Sequence, residues 1–268
     1  THAALTGACS DQWQLALGLF SEMATWRIRR EEVSFTAAIT ACQRNSQWPS
    51  ALLLLRDMEQ ASLGHQFSYC AAISACGRGG EWQRAAALLE EMAGVGLQLD
   101  RISWNAAIAA CQSGSQWEPA LALLEGMRTR RIVGDTASWN PAISAAGNAG
   151  RWDVAIDLLN SMAEVKVDRS TTSYNAAITA CERALQWEAV LGLLADMELA
   201  GVRRDFITYS AAATVFAKSE RPEDELLLLD ARLDRSSSNG SRGRLRVAPK
   251  APRLLLEQLG RRGVSGLS

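Results

Sequence analysis

Trp13, Trp48, Trp82, Trp117, Trp152 and Trp187 follow one another at intervals of 35, 34, 35, 35 and 35 residues. Met23, Met58, Met92, Met127, Met162 and Met197 keep the same intervals, each ten residues after its tryptophan. Two unrelated residue types in register mark a tandem repeat, and a period of this length means one supersecondary unit stacked on copies of itself. The chain holds six recognisable copies and a fading seventh.

Each copy reads as two helices. In the unit 171–205, Tyr174, Ala177, Ile178 and Cys181 fall at i, i+3, i+4 and i+7, the apolar stripe of an amphipathic helix. Trp187, Val190, Leu191, Leu194 and Met197 repeat the stripe after a break at residues 183–185. The runs "GRGG" (Gly77–Gly80) and "GNAG" (Gly147–Gly150) read as the turn between paired helices, and Gly64, Gly96 and Gly201 as helix ends that need a left-handed residue. No strand alternation survives in 1–217. A helix pair of this size cannot cover its apolar face alone, so the copies must stack. The expected fold is an all-α, right-handed α-solenoid of tandem ~35-residue helix–turn–helix repeats. Residues 1–230 form the array, with units near 1–31, 32–65, 66–100, 101–135, 136–170, 171–205 and 206–230. In the last unit, 222–233 is expected to form a closing helix, and 252–259 a further short one. Residues 231–268 read as a basic tail with Ser, Gly and Arg, partly disordered.

Composition narrows the chemistry. Apolar runs such as Ala51–Leu55 and Leu226–Leu229 are too short to cross a bilayer. The tryptophan, cysteine and methionine columns are assigned to the core: Cys42, Cys76, Cys111, Cys181 and, by the same register, Cys9 share one helical place, taken by Ala146 in another unit. There is no C-x-x-C pair, and His2 and His65 are the only histidines, so neither metal binding nor a nucleophile–His–carboxylate set is expected. No cofactor and no enzymatic activity are expected. Residues 1–230 carry 19 basic and 27 acidic side chains, a balance of −8, whereas 231–268 carry 9 and 2, a balance of +7. The acidic body counts against indiscriminate nucleic-acid binding, which needs surplus cations. The basic tail reads first as a solvated end.

The first helices open "SYNAAI" or "SWNAAI", the second close "LLADM" or "LLEGM", and units end "AGVRRD" (Ala200–Asp205) or "VGLQLD" (Val95–Asp100). In residue types and register over about 1–217 the chain resembles the pentatricopeptide-repeat family, rather than tetratricopeptide repeats, whose Trp and Tyr lie in the first helix. The recurrent tryptophan is a departure, because the family more often has a smaller apolar residue there. The resemblance implies an α-solenoid that binds single-stranded RNA, mostly in mitochondria or chloroplasts, at about one base per repeat.

The resemblance also implies roles for residues. The base-reading place follows the aromatic that opens the first helix, here Thr36, Cys70, Asn105, Asn140, Asn175 and Ser210. Its partner is the last residue of the unit: His65, Asp100, Asp135, Ser170 and Asp205 for the first five. In the family Asn with Asp favours uracil, and Asn with Ser leans to cytosine or either pyrimidine. Units 101–135, 136–170 and 171–205 would therefore read U, a pyrimidine and U. The pairs Thr36 with His65 and Cys70 with Asp100 imply no base. Val33, Phe67, Ile102 and Ile207 occupy the place that packs against base faces, where Ala137 and Thr172 offer less surface. Arg44, Arg78, Arg183 and Lys218 occupy the place that faces phosphate, and Ser113 and Asn148 interrupt that column. Each type also suits its position without a ligand: Asn near a helix start, and cations at a helix C-terminus.

Three classes follow. The leading expectation is sequence-selective RNA binding in organellar RNA processing, stability or editing, in chloroplast or mitochondrion, by a chain whose targeting peptide is not in view. The alternative is a protein-interaction scaffold that uses the concave face, which suits the acidic body. The third, an enzyme, lacks the residues for catalysis.

Overall fold

A computed structural model describes residues 13–26, 31–61, 63 and 66–219, all in the first of the chain's two units, 1–225. His65, Gly64, Cys9, the expected helices at 222–233 and 252–259, and the tail lie outside the described residues. The described residues form twelve helices and no strand: α1 Trp13–Thr25, α2 Glu32–Arg44, α3 Trp48–Gln60, α4 Gln66–Arg78, α5 Trp82–Gly94, α6 Arg101–Ser113, α7 Trp117–Thr129, α8 Thr136–Asn148, α9 Trp152–Glu164, α10 Thr171–Arg183, α11 Trp187–Leu199 and α12 Phe206–Lys218. Even-numbered helices are the first of their units and odd-numbered helices the second. The architecture is an all-α solenoid.

The helices stop where they do because each turn is closed by the same hydrogen bonds. After α2 the Ser46 N–H donates to Gln43 O at 3.3 Å and the Gln47 N–H to Cys42 O at 2.9 Å. This pair of bonds needs a left-handed residue between. Gly80 and Gly150 supply it in two units, but Ser46, Ser115 and Leu185 are forced into it at φ 55, 54 and 54. Between units the place belongs to Gly96 and Gly201, and also to Arg131 and Lys166.

The two helix types pack differently. Among the described residues, neighbouring first helices lie against one another, and second helices pack on the first helices of their own and the following unit. First helices bury small residues such as Ala38, Ala41, Cys42, Ala72, Ala75 and Cys76 beside large ones such as Ile39, Tyr69, Ile73 and Tyr174, and second helices bury Leu54, Leu55 and Met58 and their equivalents. Small contacts between first helices allow close backbones, and the row of first helices forms the inner side of the array.

Two sequence expectations are corrected here. Gly77 and Gly147 are not turn residues; they sit inside α4 and α8. A Cβ on Gly77 would lie 2.8 Å from both Cα and Cβ of Ala110, and one on Gly147 would lie 2.8 Å from Cβ of Ala180. Both glycines therefore permit close approach of adjacent first helices. The methionine and cysteine columns are fully buried core, but the tryptophans are only half-buried. Their indoles lie at the seam between units. A Cβ at Gly79 would meet Trp48 Cδ1 at 2.2 Å, and one at Gly114 would meet Trp82 Cδ1 at 3.0 Å. Arg84 lies over the Trp48 ring at 4.2 Å and Arg151 over the Trp117 ring at 4.7 Å, a cation–π contact at each of these two indoles.

Candidate nucleic-acid interface

The second, fifth, ninth and thirteenth residues of a first helix share one face at 3.6 residues per turn. That face is the one left uncovered by the second helices. Its second place holds Val33, Phe67, Ile102 and Ile207, each 57–63% exposed, with Ala137 and Thr172 exposed between them. Its thirteenth place holds Arg44, Arg78, Ser113, Asn148, Arg183 and Lys218, all exposed. At 1.5 Å per residue, the fifth and thirteenth places stand about 12 Å apart along each helix. The array thus presents three parallel rows: apolar, polar amide or hydroxyl, and partly cationic.

The fifth-place residues are held across the seam between units. Asn105 Nδ2 donates to Asp135 Oδ1 at 3.2 Å, and Asn175 Nδ2 to both carboxylate oxygens of Asp205 at 3.0 and 3.1 Å. The aspartates are there for a local reason. Asp100, Asp135, Ser170 and Asp205 are the N-caps of α6, α8, α10 and α12, and each side chain accepts from the backbone N–H three residues on. Asp135 and Asp205, the last residues of their units, are in this way both caps of the next first helix and hydrogen-bond partners of the fifth residue of their own unit. Desolvation pushes the Asp135 carboxyl up, but hydrogen bonds from Asn105 and Ser138 and the charge of Arg101, 3.2 Å away, hold it below its ordinary value. Asp205 is likewise held low: desolvation is outweighed by hydrogen bonds from Thr208 and Asn175.

The other fifth-place residues differ. Asn140 Nδ2 donates to Thr172 Oγ1 at 3.1 Å, and it is Thr172, not Asn140, that bonds the cap Ser170, at 2.6 Å. The expected Asn140–Ser170 pair is therefore indirect, and the Asn140 Oδ1 is buried without a partner. Thr36 bonds Ser68 Oγ at 3.1 Å and Glu32 O at 2.9 Å, while its expected partner His65 lies outside the described residues. Cys70 is buried; desolvation, then the charge of Asp100, pushes its thiol up to about 11. Asn175 is also buried, which is the opposite of an exposed helix-start residue. Ser210 is exposed.

In the cation row, Arg183 Nη1 donates to Asn148 Oδ1 at 2.5 Å, and Asn148 Nδ2 donates to Gln112 O at 3.3 Å. The residue that interrupts the column thus links three units. Two clefts open along this row. One, of about 210 Å³, is lined by Gln112, Ser144, Asn148, Asn175, Thr179 and Arg183. The other, of about 460 Å³, includes Gln43, Ser74, Arg78, Gln112, Ser113 and Asn148. A further cavity of about 520 Å³ lies away from these rows, between second helices α7 and α9. Gly134 is among its lining residues, and Leu99, Arg169 and Arg204 stand at the same register position in other units. Its walls include Leu121, Leu124, Met127 and Leu158 together with Glu125, Arg128 and Arg131, none of which belongs to the three rows.

One set of residues was not singled out by sequence reasoning. The third residue of every first helix, Ser34, Ser68, Ser103, Ser138, Ser173 and Thr208, is a hydroxyl at most 3% exposed. Ser138 donates to Asn105 Oδ1 at 2.6 Å and Thr208 to Asn175 Oδ1 at 2.5 Å. Its signal was the constant Ser or Thr two places before the fifth residue, a polar type in an otherwise apolar stripe.

The family model for the PPR repeat matches residues 33–63, 67–97, 102–132, 137–167 and 172–202. A comparison with curated protein sequences finds no match. Among solved structures, the pentatricopeptide repeat protein PPR10 from maize is similar with a TM-score of 0.66 at 20% identity, over 80% of this chain and 31% of that chain. The same protein in complex with an 18-nt psaJ RNA element is similar with a TM-score of 0.50 at 14% identity, over 86% of this chain and 44% of that one. The PPR domain of Arabidopsis thaliana protein-only RNase P 1, in complex with tRNA, has a TM-score of 0.53 at 17% identity, over 70% of this chain and 95% of that one. At such identities the likeness establishes the fold, and the chain spans about a third of the maize protein. With five matched repeats over more than half of its length, set on helices whose caps and seams repeat in the same register, the chain belongs to the pentatricopeptide-repeat family.

Proposed function

We propose that the array binds single-stranded RNA on the open face of its first helices, one base per repeat, with units 101–135, 136–170 and 171–205 reading U, a pyrimidine and U. The observation that carries this reading is the alignment of three rows on one face. Exposed aliphatic and aromatic side chains can pack on base faces, amides held by cap carboxylates can meet base edges, and cations about 12 Å further along can meet phosphate. The role is recognition, in organellar RNA processing, stability or editing, and any cleavage or editing chemistry would come from a partner.

The array 1–230 has a balance of −8, which favours the second reading, a protein scaffold. A binding assay by fluorescence anisotropy separates the two. The RNA reading expects tighter binding to RNAs containing U-Y-U than to purine-substituted versions, with a shallow salt dependence, since about three or four phosphate contacts release few counterions. Equal affinity for all the RNAs, or none for any, overturns it in favour of the scaffold. Changing Asn105 and Asn175 to Thr should move the preference towards purines.

A further inference from the structure

An asparagine amide can present a base with a donor, an acceptor or both, depending on how its two ends are occupied. In the units 101–135 and 171–205 both ends are held. The Asp135 N–H donates to Ser138 Oγ at 3.0 Å, and the single proton of that hydroxyl faces two acceptors, Asn105 Oδ1 at 2.6 Å and Asp135 Oδ1 at 3.1 Å, of which the asparagine oxygen is the closer. The Asp205 N–H does the same for Thr208 Oγ1 at 3.2 Å, and Thr208 faces Asn175 Oδ1 at 2.5 Å and Asp205 Oδ1 at 2.9 Å, again closer to the asparagine. Each asparagine oxygen faces the protein and is satisfied there. The Nδ2 of Asn105 donates to one oxygen of its cap carboxylate, and that of Asn175 is shared between both oxygens of Asp205, so at most one Nδ2 hydrogen is left for a ligand. Turning the amide over would set its oxygen against that carboxylate, a repulsive contact.

The unit 136–170 lacks this arrangement. The corresponding hydroxyl, Ser173, is engaged with Ser170 at 3.0 Å instead. The oxygen of Asn140 is left without a partner, and its nitrogen is held by a neutral hydroxyl that tolerates either end of an amide. This side chain can turn to offer a donor or an acceptor.

We infer that Ser138 and Thr208 are positioning residues that make Asn105 and Asn175 donor-only readers, and that the buried third-place hydroxyl, not the Asn–Asp pair alone, separates uracil from cytosine. Uracil presents an acceptor oxygen where cytosine presents an amino donor, so a donor-only amide matches the first and opposes the second. Asn140, with neither end dictated, accepts both. The inference rests on the RNA reading above and deepens it.

The test uses the full chain and U-Y-U RNAs in which the base facing unit 101–135 or unit 171–205 is U or C. For each, the ratio of the two dissociation constants is read. The wild type should prefer U at both units. Ser138→Ala should lower the ratio roughly tenfold at its own unit and leave the other unit unchanged, as expected for one lost hydrogen bond. Ser138→Thr should restore it. Thr208→Val, which keeps the shape and removes the hydroxyl, should do the same at the second unit, with rescue by Thr208→Ser. Helical circular dichroism and melting establish folding, and either unit suffices if the variant in the other fails to fold. An unchanged ratio in a folded variant, or equal weakening for U and C, overturns the positioning role while the RNA reading stands. A wild type with no preference for U overturns the RNA reading itself.

Discussion

Gly77 and Gly192 are both helical, yet replacing them with alanine should have opposite effects. In an unencumbered helix interior, Gly→Ala stabilises by about 1 kcal/mol through lower backbone entropy in the unfolded chain and better helix propensity. Gly192 stands mid-way in α11 with nothing within 4 Å of an added Cβ, so it should show that full gain. At Gly77 the added carbon would lie 2.8 Å from Cα and Cβ of Ala110, against an optimal carbon–carbon separation of about 3.5–4.0 Å. The obstacle is the backbone of α6, so α4 and α6 must separate by several tenths of an ångström or more. Overpacking of this kind typically costs about 1–3 kcal/mol. Gln43, Gln112 and Glu182 occupy the same place in other units, so a wider spacing is attainable and the lower half of that range applies. Setting about 1–2 kcal/mol of overpacking against about 1 kcal/mol of propensity leaves Gly77→Ala neutral to about 1 kcal/mol destabilised. Relative to Gly192→Ala the difference is about 1–2 kcal/mol. Urea unfolding followed by circular dichroism at 222 nm measures both. Because stacked repeats are coupled through nearest-neighbour interfaces, Gly77→Ala should also broaden the transition. If Gly77→Ala stabilises as much as Gly192→Ala, these glycines do not set the spacing of the inner row.

Leu185→Gly should stabilise the array by about 1 kcal/mol, since Leu185 is held at φ 54, where a side chain clashes with its own backbone; a loss of stability by thermal melting would contradict the turn geometry. Acid should weaken the seams. Asp135 and Asp205 are held below the ordinary value of 3.8, so the stability they contribute is complete above that pH and is lost as pH falls through their depressed folded values. The Asp135→Asn, Asp205→Asn double variant should therefore show a flatter fall in melting temperature below pH 3.8 than the wild type, and an identical slope would refute the assignment. Burial pushes the thiols of Cys42, Cys76 and Cys111 up to about 11 and that of Cys181 to about 12. Iodoacetamide at pH 7.5 should thus leave these four unlabelled in the native chain, as read by peptide mass spectrometry, and label them in urea. Rapid native labelling of Cys111 would show that the first-helix core opens.

The repeat period was legible because it is a one-dimensional property. A residue series in register fixes where each unit starts, and a stripe at i, i+3, i+4 and i+7 fixes which helix face is covered. Tyr174, Ile178 and Cys181 are wholly buried for that reason. The fifth, second and thirteenth residues were singled out by the family resemblance, and helical geometry alone sets them on one line. What the period could not supply was the distance between units. Glycine has one symbol for two purposes, and Gly77 and Gly80 stand three residues apart in the same short run. Only the packing of α4 on α6 separates the one that admits a neighbouring helix from the one that turns the chain. The tryptophans looked like core because periodicity reports that a place recurs, not how deeply it lies. Their half-exposed position depends on the next unit's turn, 31 or 32 residues away, as with Gly79 beneath Trp48.

The sequence by itself determined the repeat, the helix pairs and the row of amides. The tertiary structure decided what those amides can do. Asn105, Asn140 and Asn175 are the same residue in the same place, and local sequence makes them equivalent. Their hydrogen bonds come from the end of their own unit and the start of the next, where Asp135 with Ser138 and Asp205 with Thr208 hold both ends of the side chain, while Thr172 takes only one end of Asn140. An amide's donor or acceptor character is set by partners about 30 residues away that only stacking brings within 3 Å, so it becomes visible only when the units are laid on one another.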